Sequence, residues 1–454
     1  MARISLLERG QNWRRIGLFA LAASLATAAL PAQSQSLIRD AEIEKTLSLI
    51  ARPIFKAAGV NPSSIEVLVV NDPSLNAFVV NNRAIFLNSG LITRLKTIGM
   101  LQAVIGHELA HITSGHLIRR TINQQSASTA IGIGLLLATI AAANGNGQAA
   151  GGIAAGVAGS AIGKYLAHTR AEETTADQIS VRYMVRAGVD PKAALDVMEI
   201  FRGQEALTAG RQDAYARTHP MSSARIRALK GQIAAYGGGK ITASPTLQYW
   251  HARMVAKFKG YFGNPAYVLR NIKKGDRSEA ARLTRAMAYY RQGRTKSAVG
   301  EINALLVKRL NDPYYYELKG QILLEGGRVT ASINAYKTAV SILPKQSLIL
   351  AGYGRALLSL KSKSGNRAAL KVLRKARQID PRDPHMLRDL AVSWAKSGDN
   401  GMASLVTAQR YALLGRFKDA KTNATRAEGL LPRGSSGWLR SQDIIAASTT
   451  ALAK

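Results

Sequence analysis

TIGMLQAVIGHELAHITSGHLIRRTI, Thr97 to Ile122, is the stretch on which the fold turns. Met100, Leu101, Val104, Ile105, Leu109 and Ile112 recur at helical spacing and no proline interrupts them. The run therefore predicts an amphipathic to buried helix. On that helix His107 and His111 are four residues apart, so their imidazoles point the same way. Two imidazoles on one face suit Zn²⁺, which takes nitrogen at about 2.0–2.1 Å. Glu108 lies about 100° further round. It is badly placed to share the metal but well placed to reach a water beside it, where a general base belongs. The bland alternative is a helix whose histidines are core or surface residues. With seven histidines in 454 residues, a chance HExxH inside a helical run is rare, and the metal reading is preferred.

His116 stands nine residues from His107, about 180° round a helix. It is expected to face away from the metal, as a structural residue or one that steadies a ligand from behind. The metzincin spacing would put a third histidine where Leu117 stands and a glycine where Ser114 stands. A third ligand must come from elsewhere. The best source is HTRAEETTADQISVRYMVRAG, His168 to Gly188, where Ala176, Ile179, Tyr183 and Met184 make a helical stripe ended by Gly188 and Asp190-Pro191. Glu173 and Asp177 share one face of it. One carboxylate can bind metal while the other orients a ligating imidazole. Taken alone, with Glu172 alongside, a solvated acidic face would be the better reading; the upstream HExxH reverses the preference.

These stretches, with RTHPMSSARI (Arg217 to Ile226), resemble peptidase family M48, the gluzincin group that includes Ste24-like and HtpX-like proteases. The resemblance covers roughly residues 40–235. It implies one Zn²⁺ per chain held by His107, His111 and Glu173, Glu108 as general base, and Asp177 as the acid paired with the third ligand. NAFVVNNRAIFLNSGLI, Asn76 to Ile92, matches the family's NAF strand, although Arg83 replaces a usual glycine. Physically, Val79-Val80 and Ile85-Phe86-Leu87 flank Asn81-Asn82, a tight hairpin with asparagines that tolerate the left-handed region. Asn76, Ala77 and Phe78 could offer a strand edge to an extended substrate, or the hairpin could simply cover the site helix. His219 precedes Pro220, which reads as the first position of a helix, so His219 is expected at the helix mouth, outside the buried face. The resemblance puts it near the active site, as an oxyanion donor or a gate over the metal, with Arg225 in support.

The rest of the chain sets the context. The start, with Arg9, Arg14 and Arg15, an apolar run from Ile16 to Leu30 and small residues near Ala32 and Ser34, reads as a signal peptide over residues 1–34. Export in a bacterium means periplasm, by the general secretory or the twin-arginine route. The chain has no cysteine, so neither a disulfide framework nor a thiolate metal site is available. Its net charge of +34 draws anions. An anionic membrane surface or acidic chains fit that field better than nucleic acid, for which no fold motif is present. Residues 128–166 are a Gly/Ala-rich insertion. It is too short and glycine-rich for a membrane span. A lid near the cleft able to touch a membrane and a buried helical pair both fit it.

After the glycine-rich linker 236–246, Gly320, Leu323, Gly327, Tyr336, Ala339 and Pro344 nearly spell a tetratricopeptide repeat, and neighbouring units echo it. A short insertion is expected around Lys361 to Asn366. The predicted fold is mainly α: a zincin-type α+β metalloprotease domain (35–235), then an α-helical tetratricopeptide-repeat solenoid (247–440) and a tail (441–454). Together the two parts resemble exported M48 proteases that act in quality control of outer-membrane protein assembly. That implies unfolded or misassembled envelope proteins as clients and outer-membrane assembly machinery as a partner of the repeat groove. A chaperone or adaptor with a closed or vestigial site is the alternative. An intact Glu108 beside two ligands favours the enzyme.

Overall fold

The structure is a computed structural model and describes residues 37–116, 170–207, 211–236 and 243–453. The expected signal peptide (1–34) and the 128–166 insertion lie outside the described residues.

Asp40 starts the first helix, α1 (Ala41–Ala57), by accepting hydrogen bonds from the backbone of Glu42 and Ile43. Leu47, Ile50, Ile54 and Phe55 on its inner face are buried. A small sheet follows. β1 (Leu37–Ile38), β2 (Glu66–Val70), β3 (Ala77–Asn81) and β4 (Ala84–Asn88) pair in the order β1-β2-β4-β3. β2 and β4 run parallel, and the two outer pairings are antiparallel. β3 is thus an edge.

The β3–β4 hairpin differs from expectation. Among the described residues, the one non-glycine with positive φ is Lys361, so neither Asn81 nor Asn82 is left-handed. Asn81 instead accepts the Arg83 N–H on its side chain at 2.8 Å, an Asx turn. A register shift between Val79 and Asn81 absorbs the remaining residue as a bulge.

α2 (Ser89–Arg94) leads to α3 (Ile98–Thr113), which carries HExxH. From Met100 through His111 every residue of α3 is buried. The amphipathic end of the expected range is excluded, and the helix is core on all sides. α1 and the sheet cover it from one direction, and a helix over residues 170–186, here α4, from another. α4 approaches α3 at Gly106, where a Cβ would lie 2.8 Å from Ser180 Oγ. α5 (Lys192–Ile200), α6 (Ala214–Thr218) and α7 (Ser223–Ala235) close the domain.

Beyond the glycine-rich segment, α8 (Pro245–Phe262) places Met254 and Phe258 in the core of this first domain. α9 (Pro265–Asn271) is short. Helices then alternate: α10 (Glu279–Arg291), α11 (Thr295–Lys308), α12 (Pro313–Glu325), α13 (Val329–Ile342), α14 (Ser347–Leu358), α15 (Lys363–Ile379), α16 (Pro384–Lys396), α17 (Asn400–Leu413), α18 (Phe417–Leu430) and α19 (Ser436–Leu452). The mainly α architecture and the stacked helix pairs agree with expectation. Small residues allow the close crossings: at Gly320 and Gly352 a Cβ would strike the Tyr336 ring. The insertion around Lys361 to Asn366 does not form a loop. Ser362 caps α15, and the residues after it lengthen that helix to 17, against 14 for α11 and α13.

Candidate metal centre

α3 and α4 bring their side chains to one point. The Nε2 atoms of His107 and His111 are 3.1 Å apart. Glu173, from α4, puts Oε2 3.2 Å from His107 Nε2 and Oε1 3.4 Å from His111 Nε2. His219 joins them: its Nδ1 is 2.9 Å from Glu173 Oε2 and 3.3 Å from His107 Nε2. One donor atom from each of the four lies within 4.8 Å of the others, and all four residues are buried. Tetrahedral ligation at about 2.0–2.1 Å would set neighbouring donors about 3.3–3.4 Å apart. Three imidazoles and a carboxylate at this spacing fit a divalent ion.

His107 is held from behind. His107 Nδ1 lies 3.0 Å from Asp177 Oδ1. Arg225 grips Asp177 with two hydrogen bonds of 2.8 Å, from Nε and Nη2, and donates from Nη1 to the Pro220 carbonyl at 2.6 Å. Burial alone would raise Asp177. The Arg225 charge and the bonds from His107 and Arg225 outweigh it and hold the carboxyl below its ordinary value. Burial would likewise lower His107, but Asp177 and Glu173 hold its ring up at about 10. Burial, then the charges of His107 and His219, push His111 down to about 3 against the pull of Glu173.

Two expectations change here. His116 does not face away. The helical projection assumed a continuing helix, but α3 ends at Thr113 and Gly115 turns the chain at φ 66. His116 Nδ1 then meets His111 Nδ1 at 2.9 Å. His219 is not at an open helix mouth either. Pro220 does not start α7; Ser222 caps it, accepting from the Arg225 N–H. His219 instead ends α6 and is buried in the donor cluster. Glu172 is buried as well, so the solvated acidic face is excluded.

Glu108 is fully buried, with Oε1 3.4 Å from His219 Nε2. The His219 ring thus touches both Glu173 and Glu108. Tyr215, which the sequence reading did not single out, packs its ring 4.6 Å from that of His219, and the His219 N–H donates to the Tyr215 carbonyl. No local pattern marks it; only the tertiary fold brings it in. At the cleft edge Ala77 is buried, Phe78 stacks on Phe86 with ring centroids 5.2 Å apart, and Thr218 Oγ1 reaches Asn76 Oδ1 at 3.5 Å.

Residues 38–233 match the family model for peptidase family M48. The chain is 22% identical over 413 residues to the beta-barrel assembly-enhancing protease of Yersinia pestis, covering 89% of this chain and 81% of that one. It is 22% identical to the protein of that name in Escherichia coli, covering 67% of this chain and 63% of the relative. A mitochondrial metalloendopeptidase of Schizosaccharomyces pombe is 28% identical, over 40% of this chain and 51% of its own length. Among solved structures, a tetratricopeptide-repeat protein of Thermus thermophilus is 19% identical with a TM-score of 0.28, covering 39% of this chain and 100% of that one.

Proposed function

We propose that this chain, which carries a metalloendopeptidase domain of family M48, is a zinc endopeptidase of the bacterial envelope. In this reading it degrades misfolded or misassembled outer-membrane proteins, and its repeats recruit clients or assembly partners. The two relatives named for β-barrel assembly support the client class. No helix among the described residues is long and apolar enough to cross a membrane. The observation that carries the reading is the convergence of His107, His111, Glu173 and His219 beside a fully buried Glu108.

His107, His111 and Glu173 would hold the ion. Bound zinc supplies a Lewis acid that acidifies water and polarises a carbonyl. Glu108 takes the proton of the attacking water and hands it to the leaving amide nitrogen. Asp177 fixes the His107 ring, and Arg225 fixes Asp177. The β3 edge, at Asn76, Ala77 and Phe78, pairs with the extended substrate backbone. Zinc analysis and digestion of an unfolded β-barrel client test this. Wild type is expected to carry equimolar zinc, and His107→Ala to lose it. Glu108→Gln is expected to keep zinc and lose at least about 10² in turnover. Zinc-loaded Glu108→Gln that cleaves like wild type would overturn the assignment.

The position of His219 favours a closed resting form within the same reading. Its Nδ1 stands where a fourth donor stands, and its Nε2 lies against the general base. A client must displace the ring before its carbonyl can reach the ion. His219→Ala is then expected to keep zinc on three donors but to lose it faster to a small chelator. Equal chelation rates in the variant and wild type would exclude the gate.

A further inference from the structure

α15 differs from the other helices of the array in its charge. It carries Lys363, Arg367, Lys371, Arg374, Lys375 and Arg377, and no acidic residue. Elsewhere several arginines of the array are paired with carboxylates. Arg282 and Arg285 meet Glu301, Arg309 meets Glu279, and Arg355 and Arg388 meet Asp389. Among the described residues, none of the six α15 cations is in an ion pair.

α12, α14 and α16 pack on one another in a row along one side of the array. A groove of about 1050 Å³ opens among α15, α16, α17 and α19. Arg374 and Arg377 from α15 and Arg440 from α19 line it, against a single carboxylate, Asp443. No ion pair joins Asp443 to these arginines. Arg377 spends one N–H on Gln409, at 2.8 Å. Its burial and the neighbouring Arg440 charge lower it from the ordinary arginine value, as expected for two guanidinium groups without an anion between them. Between the cations the wall is apolar: Trp394, Met402, Leu413 and Ile444. The Arg374 guanidinium lies 5.7 Å from the centre of the Trp394 ring. The indole N–H of Trp394 is buried without a hydrogen-bond partner among the described residues.

We propose that this groove binds an extended acidic segment of a partner protein, with its carboxylates on Arg374, Arg377 and Arg440 and an apolar side chain against Trp394 and Leu413. The proposal rests on the reading of the repeats as the recruiting part of the protease, and it names the chemistry they recruit. Charge complementarity selects the occupant, since guanidinium forks match carboxylates two bonds at a time. The half-buried Trp394, Met402 and Ile444 between the cations select a peptide over a lipid surface, because a side chain of an extended segment reaches between the helices whereas headgroups on a plane meet only the exposed cations.

The test is direct binding to the full chain. A short fluorescent peptide alternating Asp or Glu with Leu or Phe is titrated at about 0.15 M salt, where diffuse attraction is screened beyond about 8 Å. Its twin carries Asn and Gln instead, and mass spectrometry confirms that both stay intact. The acidic peptide is expected to bind and the twin to bind at least about tenfold more weakly, the scale of one charged hydrogen bond. Arg377→Gln with Arg440→Gln is expected to weaken the acidic peptide at least about tenfold. Lys230→Gln with Lys308→Gln removes the same charge from exposed positions outside the groove and is expected to change binding less than about twofold. Should the arginine pair disturb the fold, Leu413→Glu serves instead. It adds a carboxylate at an exposed groove position and is expected to weaken binding similarly.

Equal binding of the two peptides, equal weakening by the lysine pair, or full binding by Leu413→Glu would each overturn the proposal. So would phosphatidylglycerol vesicles that displace the peptide and depend on the same arginines, since the face would then be a membrane surface. None of these readouts uses cleavage. A failed peptidase reading appears instead as missing zinc or missing turnover, and the two failures stay distinguishable.

Discussion

One proton lies between His111 and His116, whose Nδ1 atoms are 2.9 Å apart. For His111 Nε2 to offer a lone pair to a metal, its Nδ1 must carry the hydrogen and donate it to His116. On the proposed ligand set, His116 thereby fixes the tautomer of His111, as Asp177 fixes His107. Removing such a partner typically costs about 10–100-fold in metal affinity. His116→Ala is expected to fall in that range by competition with a chromophoric chelator. An unchanged affinity would mean that the contact is only packing. Arg225 is a different case. It is buried, and Arg225→Ala breaks a buried ion pair, leaving Asp177 with the His107 ring as its remaining partner. Such a loss costs about 3–5 kcal/mol, and denaturant titration of the zinc-free chain should read it without any contribution from the metal. At this scale the sequence was legible wherever spacing alone sets geometry. His107 and His111 are four apart on one helix, and Glu173 and Asp177 repeat that spacing on another. His116 was misjudged because its direction depends on where α3 ends, and Tyr215 was missed because only tertiary packing brings it to His219.

Helix ends and turns account for the other differences. Pro220 is a reasonable helix start, but the Ser222 hydroxyl satisfies an orphan N–H of the first turn and wins. The Asn81 side chain likewise supplies a turn bond that spares the backbone a left-handed residue. These are choices among locally similar energies, which periodicity does not resolve. Gly90 is a position with no such freedom. It opens α2 just before the site helix, and a Cβ there would lie 2.0 Å from the Pro73 carbonyl oxygen and 2.7 Å from that of Ser74. Backbone on both sides has to move, displacing the strand connection that precedes β3. Overpacking of this kind costs about 1–3 kcal/mol. Gly90→Ala is expected at the upper end of that range in a denaturant titration. A midpoint equal to wild type would show that the 72–76 segment yields freely.

The two parts of the molecule are continuous in a way that composition conceals. The glycine-rich stretch 236–246 separates two sequence patterns, yet α8 beyond it belongs to both cores. Met254 and Phe258 lie among the peptidase residues, while Ala256 packs with the first repeat helices. Arg253 is the tie. Its buried guanidinium pairs with Glu42 of α1, donates to Asp312 at the start of α12 at 2.5 Å, and lies 4.0 Å over the Tyr315 ring. Lys257 adds a 2.5 Å pair to Asp40. Further along, Arg39 reaches Asp380 at 2.7 Å, so the array touches the peptidase a second time. A chain ending at Ala235 would lose Met254 and Phe258, each worth about 1.5–3 kcal/mol when fully buried. It would also lose the buried Arg253–Glu42 and Lys257–Asp40 pairs. Together these losses reach the lower end of the stability of an ordinary domain, about 5–15 kcal/mol. Such a chain is expected to lack a cooperative melting transition and to bind zinc substoichiometrically. A chain ending at Asn271 keeps α8, its two core side chains and the Arg253–Glu42 and Lys257–Asp40 pairs. It is expected to melt cooperatively with one zinc, though below the full chain because Asp312 is gone. If the chain ending at Ala235 melts like the one ending at Asn271 and carries the same zinc, α8 contributes nothing to the peptidase core. The joint would then serve only to orient the array.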